Sequence, residues 1–266
     1  MRYVAYWEKV DRLVYLKEKA TPEFWDSWWK TEGKPAVNSK GEVVTVTAQY
    51  LQLGSRVLEG GCGRADKVKA MTDGGFKAIG IDFAEPSVKQ AIQYFPDTDI
   101  RLGDVRLLDF PDDYFDGYWS IGVIEHFWDG YGSILSEAAR VIRPGGYLFL
   151  TAPWLSPYRK YKVKRGHYPC RDFYSEPENF YQFALNKEEV CSQLMIHGFT
   201  LVHWRGRMSE ISMLEDMNIY QPQIEWLLRP SNSVAKRILR KAVCTTLNPC
   251  CGHSFLAIAR LGNNQY

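Results

Sequence analysis

The chain has 266 residues, 45% of them hydrophobic and 24% charged, with a formal net charge of +2. That apolar share supplies a sizeable core and excludes wholesale disorder, the length suits one medium α/β domain with decorations, and the near-balanced charge argues against a nucleic-acid binder with a strongly basic domain. Six scattered cysteines form no disulfide framework, no apolar run approaches the roughly 20 residues that span a bilayer, and the first residues lack a signal peptide's apolar stretch, so a cytoplasmic setting is expected.

Residues 1–52 read as a helical, aromatic segment. Trp7, Leu13 and Leu16 recur at near-helical spacing, and Trp25, Trp28 and Trp29 follow Thr21-Pro22, a helix start with proline at its first position. Residues 44–53 form a further helix leading into the core. The middle then alternates. Strands are expected at 56–59, 78–82, 99–102, within 114–123, and at 147–151. Helices are expected at 66–73, 85–94 and 133–142, the last closed by Arg143-Pro144-Gly145-Gly146. Strands alternating with helices of about ten residues argue for βαβ units and a parallel sheet. Residues 153–186, rich in aromatics and proline, break the rhythm as an insertion. A helix at 187–197, a strand at 199–204, an irregular insertion at 205–252 and a terminal strand at 254–261 complete the chain.

In an open α/β sheet, ligands bind beyond the carboxyl ends of the strands. Four segments fall there. Glu59-Gly60-Gly61-Cys62-Gly63-Arg64-Ala65 is a glycine loop between a strand and a helix, where backbone can approach a ligand and the helix start favours a carboxylate. Alone it also fits an ordinary turn. Asp82 ends the next strand, where an acid can accept both hydroxyls of a ribose. Alone it also fits a helix cap. Gly103-Asp104-Val105 ends the third strand, and a short acid there suits an adenine amine. Ser120 to Phe127 follows the fourth strand and delivers Glu125 and His126 to the same edge.

This ordered set resembles the class I S-adenosylmethionine-dependent methyltransferases, and most closely the small-molecule branch typified by quinone-biosynthesis methyltransferases. The resemblance runs over about residues 55–152, on Val57-Leu58-Glu59-Gly60-Gly61-Cys62-Gly63, Gly80-Ile81-Asp82, Gly103-Asp104-Val105, Val123-Ile124-Glu125-His126 and Arg143-Pro144-Gly145-Gly146. It implies a Rossmann-like, seven-stranded, mostly parallel sheet with helices on both faces and the last strand antiparallel. The N-terminal helices and the insertions 153–186 and 205–252 would form a cap over a domain at 53–266. It implies that Glu59, Gly60, Gly61 and Gly63 cradle the methionine part of S-adenosylmethionine. Arg64 would meet its carboxylate, Asp82 the ribose, Phe83 the adenine face, Asp104 and Val105 the adenine edge, and the Ile121 backbone the ammonium. The family often has a third glycine where this chain has Ala65, which is also small. A nicotinamide dinucleotide fold is the nearest competitor. Its fingerprint asks for glycine where Asp66 stands, and Glu59 would repel a pyrophosphate. A methyltransferase-like binding module without catalysis is the other alternative.

Methyl transfer from a sulfonium is an in-line displacement, and an oxygen acceptor also needs its proton removed. His126 is the expected base, with Glu125 orienting its ring and His167 as the alternative. Trp154, Tyr158, Arg159, His167, Tyr168 and Tyr174 in the first insertion are expected to bind an acceptor with an apolar or sugar face and an anionic group, either a small molecule or a lipid- or glycan-linked one. No metal site and no nucleic-acid partner are expected. Residues 229–241 carry Arg229, Lys236, Arg237, Arg240 and Lys241 without an acid, beside Val234, Ile238 and Leu239. A basic amphipathic helix there suits a peripheral contact with the inner membrane face.

Overall fold

The computed structural model describes residues 3–21, 23–25, 27, 35–216, 221–229 and 231–263. The expectations for Pro22, Trp28 and Trp29 lie outside the described residues.

Among the described residues, ten strands form two sheets. The larger contains β3 (Arg56–Gly60), β4 (Lys77–Asp82), β5 (Asp99–Leu102), β6 (Phe115–Ile121), β7 (Ile142–Pro153), β9 (Phe199–Arg207) and β10 (Ser254–Leu261), in the order β5-β4-β3-β6-β7-β10-β9. The pairs from β5 to β7 are parallel. β10 is antiparallel to both neighbours, β7 and β9. This is the seven-stranded, Rossmann-like α/β sheet expected from the sequence. Strand order reverses between β3 and β6, and such a switch point opens a crevice at the carboxyl ends of those two strands.

The helices between these strands form for local reasons. α2 (Asp66–Asp73) starts with an acid. α3 (Glu85–Tyr94) starts with an acid and Pro86, whose missing N–H costs nothing in a first turn. α4 (Gly132–Val141) buries Ile134, Leu135, Ala138 and Val141, the i, i+1, i+4, i+7 stripe of a core-facing helix. α6 (Lys187–Ile196) is capped by Asn186, whose side chain accepts from the Glu188 N–H. α1 (Glu42–Tyr50) packs Val43, Val44 and Val46 into a core on one face of the sheet. A second, larger core occupies the other face.

The N-terminus departs from expectation. Residues 3–16 hold no α-helix. They form a hairpin, β1 (Tyr3–Trp7) and β2 (Arg12–Leu16), which pairs with β8 (Phe180–Ala184) as a three-stranded antiparallel sheet, β1-β2-β8. β2 lies between its two partners. Leu13, Val14, Tyr15 and Leu16 are all buried, a continuous apolar run rather than an alternating one. Its Arg12 makes a two-pronged ion pair with Glu189 of α6, at 2.7 and 2.9 Å. The expected insertion at 153–186 therefore contains a strand of this second sheet and a helix, α5 (Pro157–Lys164).

The region 205–252 is not irregular either. It holds α7 (Ser209–Glu215), α8 (Gln221–Leu228) and α9 (Val234–Cys251). Ser233 caps α9 by accepting from the Lys236 N–H. Pro249 falls in its last turns.

Candidate active site

A cavity of about 420 Å³ opens at the switch point, within the usual range of small-molecule sites. Gly61, Gly63, Asp82, Phe83, Asp104, Val105 and Ile121 are among the residues that line one part, and Glu125, His126, Phe127, Tyr181, Gln182, Ala20 and Trp25 among those that line another.

The glycine loop is held by backbone. The Gly61 and Cys62 N–H groups both donate to the Ile81 carbonyl, at 2.8 and 2.9 Å. Gly61 and Gly63 have φ of +72° and +50°, a left-handed conformation that only glycine adopts without strain. Ala65 also sits there, at φ +57°. The size of alanine is therefore not what its position tests. The backbone conformation is, and an L-residue there costs about 1–2 kcal/mol.

Asp82 is buried at the tip of β4. Its Oδ2 accepts from the Gly63 N–H at 2.8 Å and its Oδ1 from the Ala84 N–H at 2.9 Å. One carboxylate thus fixes both turns that shape the cavity. The carboxylate lines the cavity, and a carboxylate has acceptor sites for about four hydrogen bonds. Phe83, next in the chain, is 47% exposed and faces the same cavity. Asp104 accepts from Arg106 through its backbone N–H at 2.8 Å and its Nη2 at 2.6 Å, and these bonds hold the Asp104 carboxyl below its usual range.

Three of the loop residues expected to bind the cofactor lie outside the lining. Gly60 packs against Tyr118, whose hydroxyl leaves no room for a Cβ. Arg64 is half-buried and does not line the cavity. Glu59 is buried, and burial, then Asp66, pushes its pKa well up. It accepts from the Val68 N–H in the first turn of α2, a helix whose N-cap side chain makes no such bond. Its Oε2 has no protein partner. The described geometry thus makes Glu59 a support for the helix start beneath the loop.

His126 sits in a short 3₁₀ turn, Ile124–His126, after β6. Its Nδ1 lies 2.7 Å from the Tyr181 carbonyl. A carbonyl only accepts, so Nδ1 carries the proton and Nε2 keeps its lone pair. Burial lowers the ring's pKa to about 4 despite that bond. The expected orientation by Glu125 is therefore corrected: Tyr181, on β8 of the small sheet, orients the imidazole. Glu125 is buried in the cavity wall with Oε2 unpartnered, and burial pushes its pKa up to about 8. Trp25 and Tyr181 pack edge-on to the imidazole, with centroids 5.1 and 5.3 Å away.

The expected acceptor residues lie elsewhere. Arg159 is fully buried in α5, and its guanidinium is consumed by Asp216 at 2.8 Å, the Trp154 and His253 carbonyls and His253 Nδ1. Tyr168 donates to the same Asp216 at 3.1 Å. Tyr158 stacks on Tyr161. His167 is exposed at the end of α5, and Tyr174 is 98% exposed. Trp154 lines a separate cavity of about 580 Å³ with Trp204, Lys160, Lys187 and Arg205. Lys160 is paired there with Glu188, and Arg205 with Glu42. The wall facing His126 is instead built from Ala20, Trp25, Phe127, Tyr181 and Gln182. None was singled out as a site residue. Tyr181 and Gln182 belong to a short strand, Phe-Tyr-Gln-Phe-Ala, whose β-forming composition was the available signal.

A mostly parallel sheet whose glycine loop and strand-end acids Asp82 and Asp104 meet in one cavity at the switch point is the class I, Rossmann-like architecture expected from the sequence. The known proteins agree. The family described as "Methyltransferase domain" matches residues 58–150. A probable S-adenosylmethionine-dependent methyltransferase from Mycolicibacterium smegmatis is 36% identical over 189 residues, covering 69% of each chain. The 27-O-demethylrifamycin SV methyltransferase of Amycolatopsis mediterranei is 34% identical over 107 residues, 38% of this chain and 39% of that one. Among solved structures, the [4+2]-cyclase SpnF superposes with a TM-score of 0.59 at 17% identity, covering 94% of this chain and 99% of that one. The chain belongs to the S-adenosylmethionine-dependent methyltransferase family, which implies S-adenosylmethionine as its cofactor. The residues present fit that group: a buried acid, a positive-φ loop and an exposed aromatic ring share one cavity.

Proposed function

We propose that this protein transfers a methyl group from S-adenosylmethionine to an oxygen of a small-molecule or lipid- or glycan-linked acceptor, leaving S-adenosylhomocysteine. Bound in the cleft, the cofactor would supply an electrophilic methyl on a sulfonium. The observation that carries the reading is the placement of His126 in the same cavity as Asp82, Asp104 and the glycine loop.

Asp82 holds the ribose, Phe83 covers the adenine, and Asp104 and Val105 meet its edge. Gly61, Gly63 and the Ile121 backbone take the methionine end. Trp25, Phe127 and Tyr181 form an apolar slot for a planar or hydrocarbon acceptor and keep water from the reacting oxygen. His126 accepts the acceptor's hydroxyl proton at Nε2. A ring with a pKa of about 4 is a weak base, but the acceptor oxygen becomes strongly acidic as its bond to carbon forms, so the proton moves late. The relative from Amycolatopsis mediterranei carries an O-demethyl substrate in its name, which supports oxygen as the target. Neither the nicotinamide oxidoreductase nor the inactive module is favoured beside the family membership.

The test is an acceptor panel of phenols, hydroquinones, sugar alcohols and polyprenyl or fatty-acyl hydroxyls, read by formation of S-adenosylhomocysteine. Turnover of an oxygen acceptor that falls in His126→Ala supports the proposal. Methylation of amines alone, or no turnover with any acceptor despite tight cofactor binding, contradicts it.

A further inference from the structure

We infer that α8 and α9 form a docking surface for an anionic phospholipid bilayer. The inference stands apart from the identity of the methyl acceptor.

α9 is an amphipathic helix turned the unusual way out. Its inner face carries Val243, Cys244, Leu247 and Asn248, all half-buried. That face is fixed to α7: Ser209 donates from Oγ to the Cys244 carbonyl and from its N–H to Asn248 Oδ1, both at 3.0 Å. With 3.6 residues per turn, Val234, Ile238 and Ala242 form one stripe and Ala235 and Leu239 the adjoining one. Both stripes face solvent. Val234 is 66% exposed, Ile238 63% and Leu239 47%. On an ordinary surface helix these residues would turn inward. Trp226 of α8 extends the patch and is 57% exposed, the side chain that suits a bilayer's interfacial zone.

Cations border this apolar patch. Arg237 and Lys241, one turn apart and both exposed, run along one edge. On the other side Lys236 holds its ammonium 4.9 Å from the centre of the Trp226 ring. Arg240 donates to the Leu228 carbonyl at 3.3 Å, with its guanidinium between the two helices. Arg229 is exposed at the end of α8, with Glu225 4.0 Å away as the only nearby carboxylate in these helices. No Asp or Glu occurs in residues 226–266. An apolar stripe fringed by cations and free of acids is complementary to an anionic, apolar-cored partner, and a bilayer surface with anionic headgroups is that partner. Among the described residues no helix is long and apolar enough to cross a membrane, so the contact would be peripheral.

The test is flotation of the full chain with vesicles of phosphatidylcholine alone and of phosphatidylcholine mixed with phosphatidylglycerol. The expected result is retention on the anionic vesicles only, weakening as salt is raised. Each cation near the surface contributes about fivefold in partitioning, so Arg237→Gln with Lys241→Gln should weaken retention about 25-fold. Ile238→Ser with Leu239→Ser should weaken it independently. Unchanged S-adenosylhomocysteine binding in both variants shows that they are folded. No retention on anionic vesicles, or retention that neither variant alters, overturns the inference. So does a concentration-dependent dimer that Ile238→Ser with Leu239→Ser dissolves without any vesicle binding, which would assign the face to a second copy of the chain.

Discussion

The two walls of the cleft are built in opposite ways. The wall proposed for the cofactor consists of strand ends and the turns that follow them, and its shape is set by backbone: Gly61 and Gly63 in left-handed conformations and Asp82 tied to two N–H groups. The wall proposed for the acceptor consists of side chains from distant segments, Trp25 from the N-terminal region, Phe127 after β6, and Tyr181 and Gln182 from β8. Its geometry depends on the small sheet and on the contacts that hold that sheet to the main one. A backbone-built wall accommodates one invariant ligand, whereas a side-chain-built wall can be changed residue by residue. That division suits an enzyme with a fixed methyl donor and a specific acceptor.

Substitutions can break this contrast or sharpen it. The largest effect on stability should come from Asp216→Ala. It strands the fully buried Arg159 guanidinium and removes the acceptor of Tyr168 and Ser212, so a loss of about 3–5 kcal/mol is expected by chemical denaturation. A loss below 1 kcal/mol would mean that the α5–α7 region is not held as described. Next, His126→Ala should lower kcat about 10²-fold, the lower end for a general base because its pKa is far below the working pH, with cofactor affinity unchanged. A parallel fall in cofactor affinity would place His126 on the wrong wall.

The third expectation concerns pH. Burial raises the Glu125 pKa from 4.5 to about 8, so the folded state keeps a proton there that the unfolded chain releases. Its contribution is fully present below pH 4.5 and is lost as pH rises through 8. His126 runs the other way: lowered from 6.5 to about 4, its contribution is present above pH 6.5 and is lost as pH falls through 4. Glu125→Gln should therefore flatten the decline in stability between about pH 6.5 and 8, above the range where His126 opposes it. An undiminished decline in the variant would clear Glu125 of that role. The smallest effect is expected at Tyr131→Phe, which deletes one 2.8 Å bond to Glu189 beside Arg12 and should cost about 1 kcal/mol. No change would mean that the link between β2 and α6 rests on Arg12 alone.

The same contrast explains what the sequence could show. α2, α3, β5 and β10 have the bounds expected, because acidic first turns, Pro86, the alternation of β5 and the apolar run of β10 are local signals. That Asp82, Phe83, Asp104, Val105 and Ile121 line one cavity follows from strand ends, so this too was legible. β1 and β2 were not. Their partner β8 and the Arg12–Glu189 pair, 177 residues apart, become neighbours only in the folded chain. Reading Trp7, Leu13 and Leu16 as one helix face mistook a strand buried on both faces for helical spacing. Arg159 and Tyr168 were misassigned because cations and aromatics look alike on paper whether they line a pocket or satisfy a buried Asp216. The basic stretch at 229–241 was recognised from composition, but the outward direction of its apolar stripe required the packing of Cys244 and Asn248 on Ser209.

The most direct test is calorimetric titration of the wild type and Asp82→Ala with S-adenosylhomocysteine and with a nicotinamide dinucleotide. One site per chain for S-adenosylhomocysteine, none for the dinucleotide, and affinity reduced at least tenfold in a folded Asp82→Ala is the predicted result, since hydrogen bonds to a charged group contribute about 1.5–3 kcal/mol. Equal affinity in Asp82→Ala, or binding of the dinucleotide in place of S-adenosylhomocysteine, would contradict it.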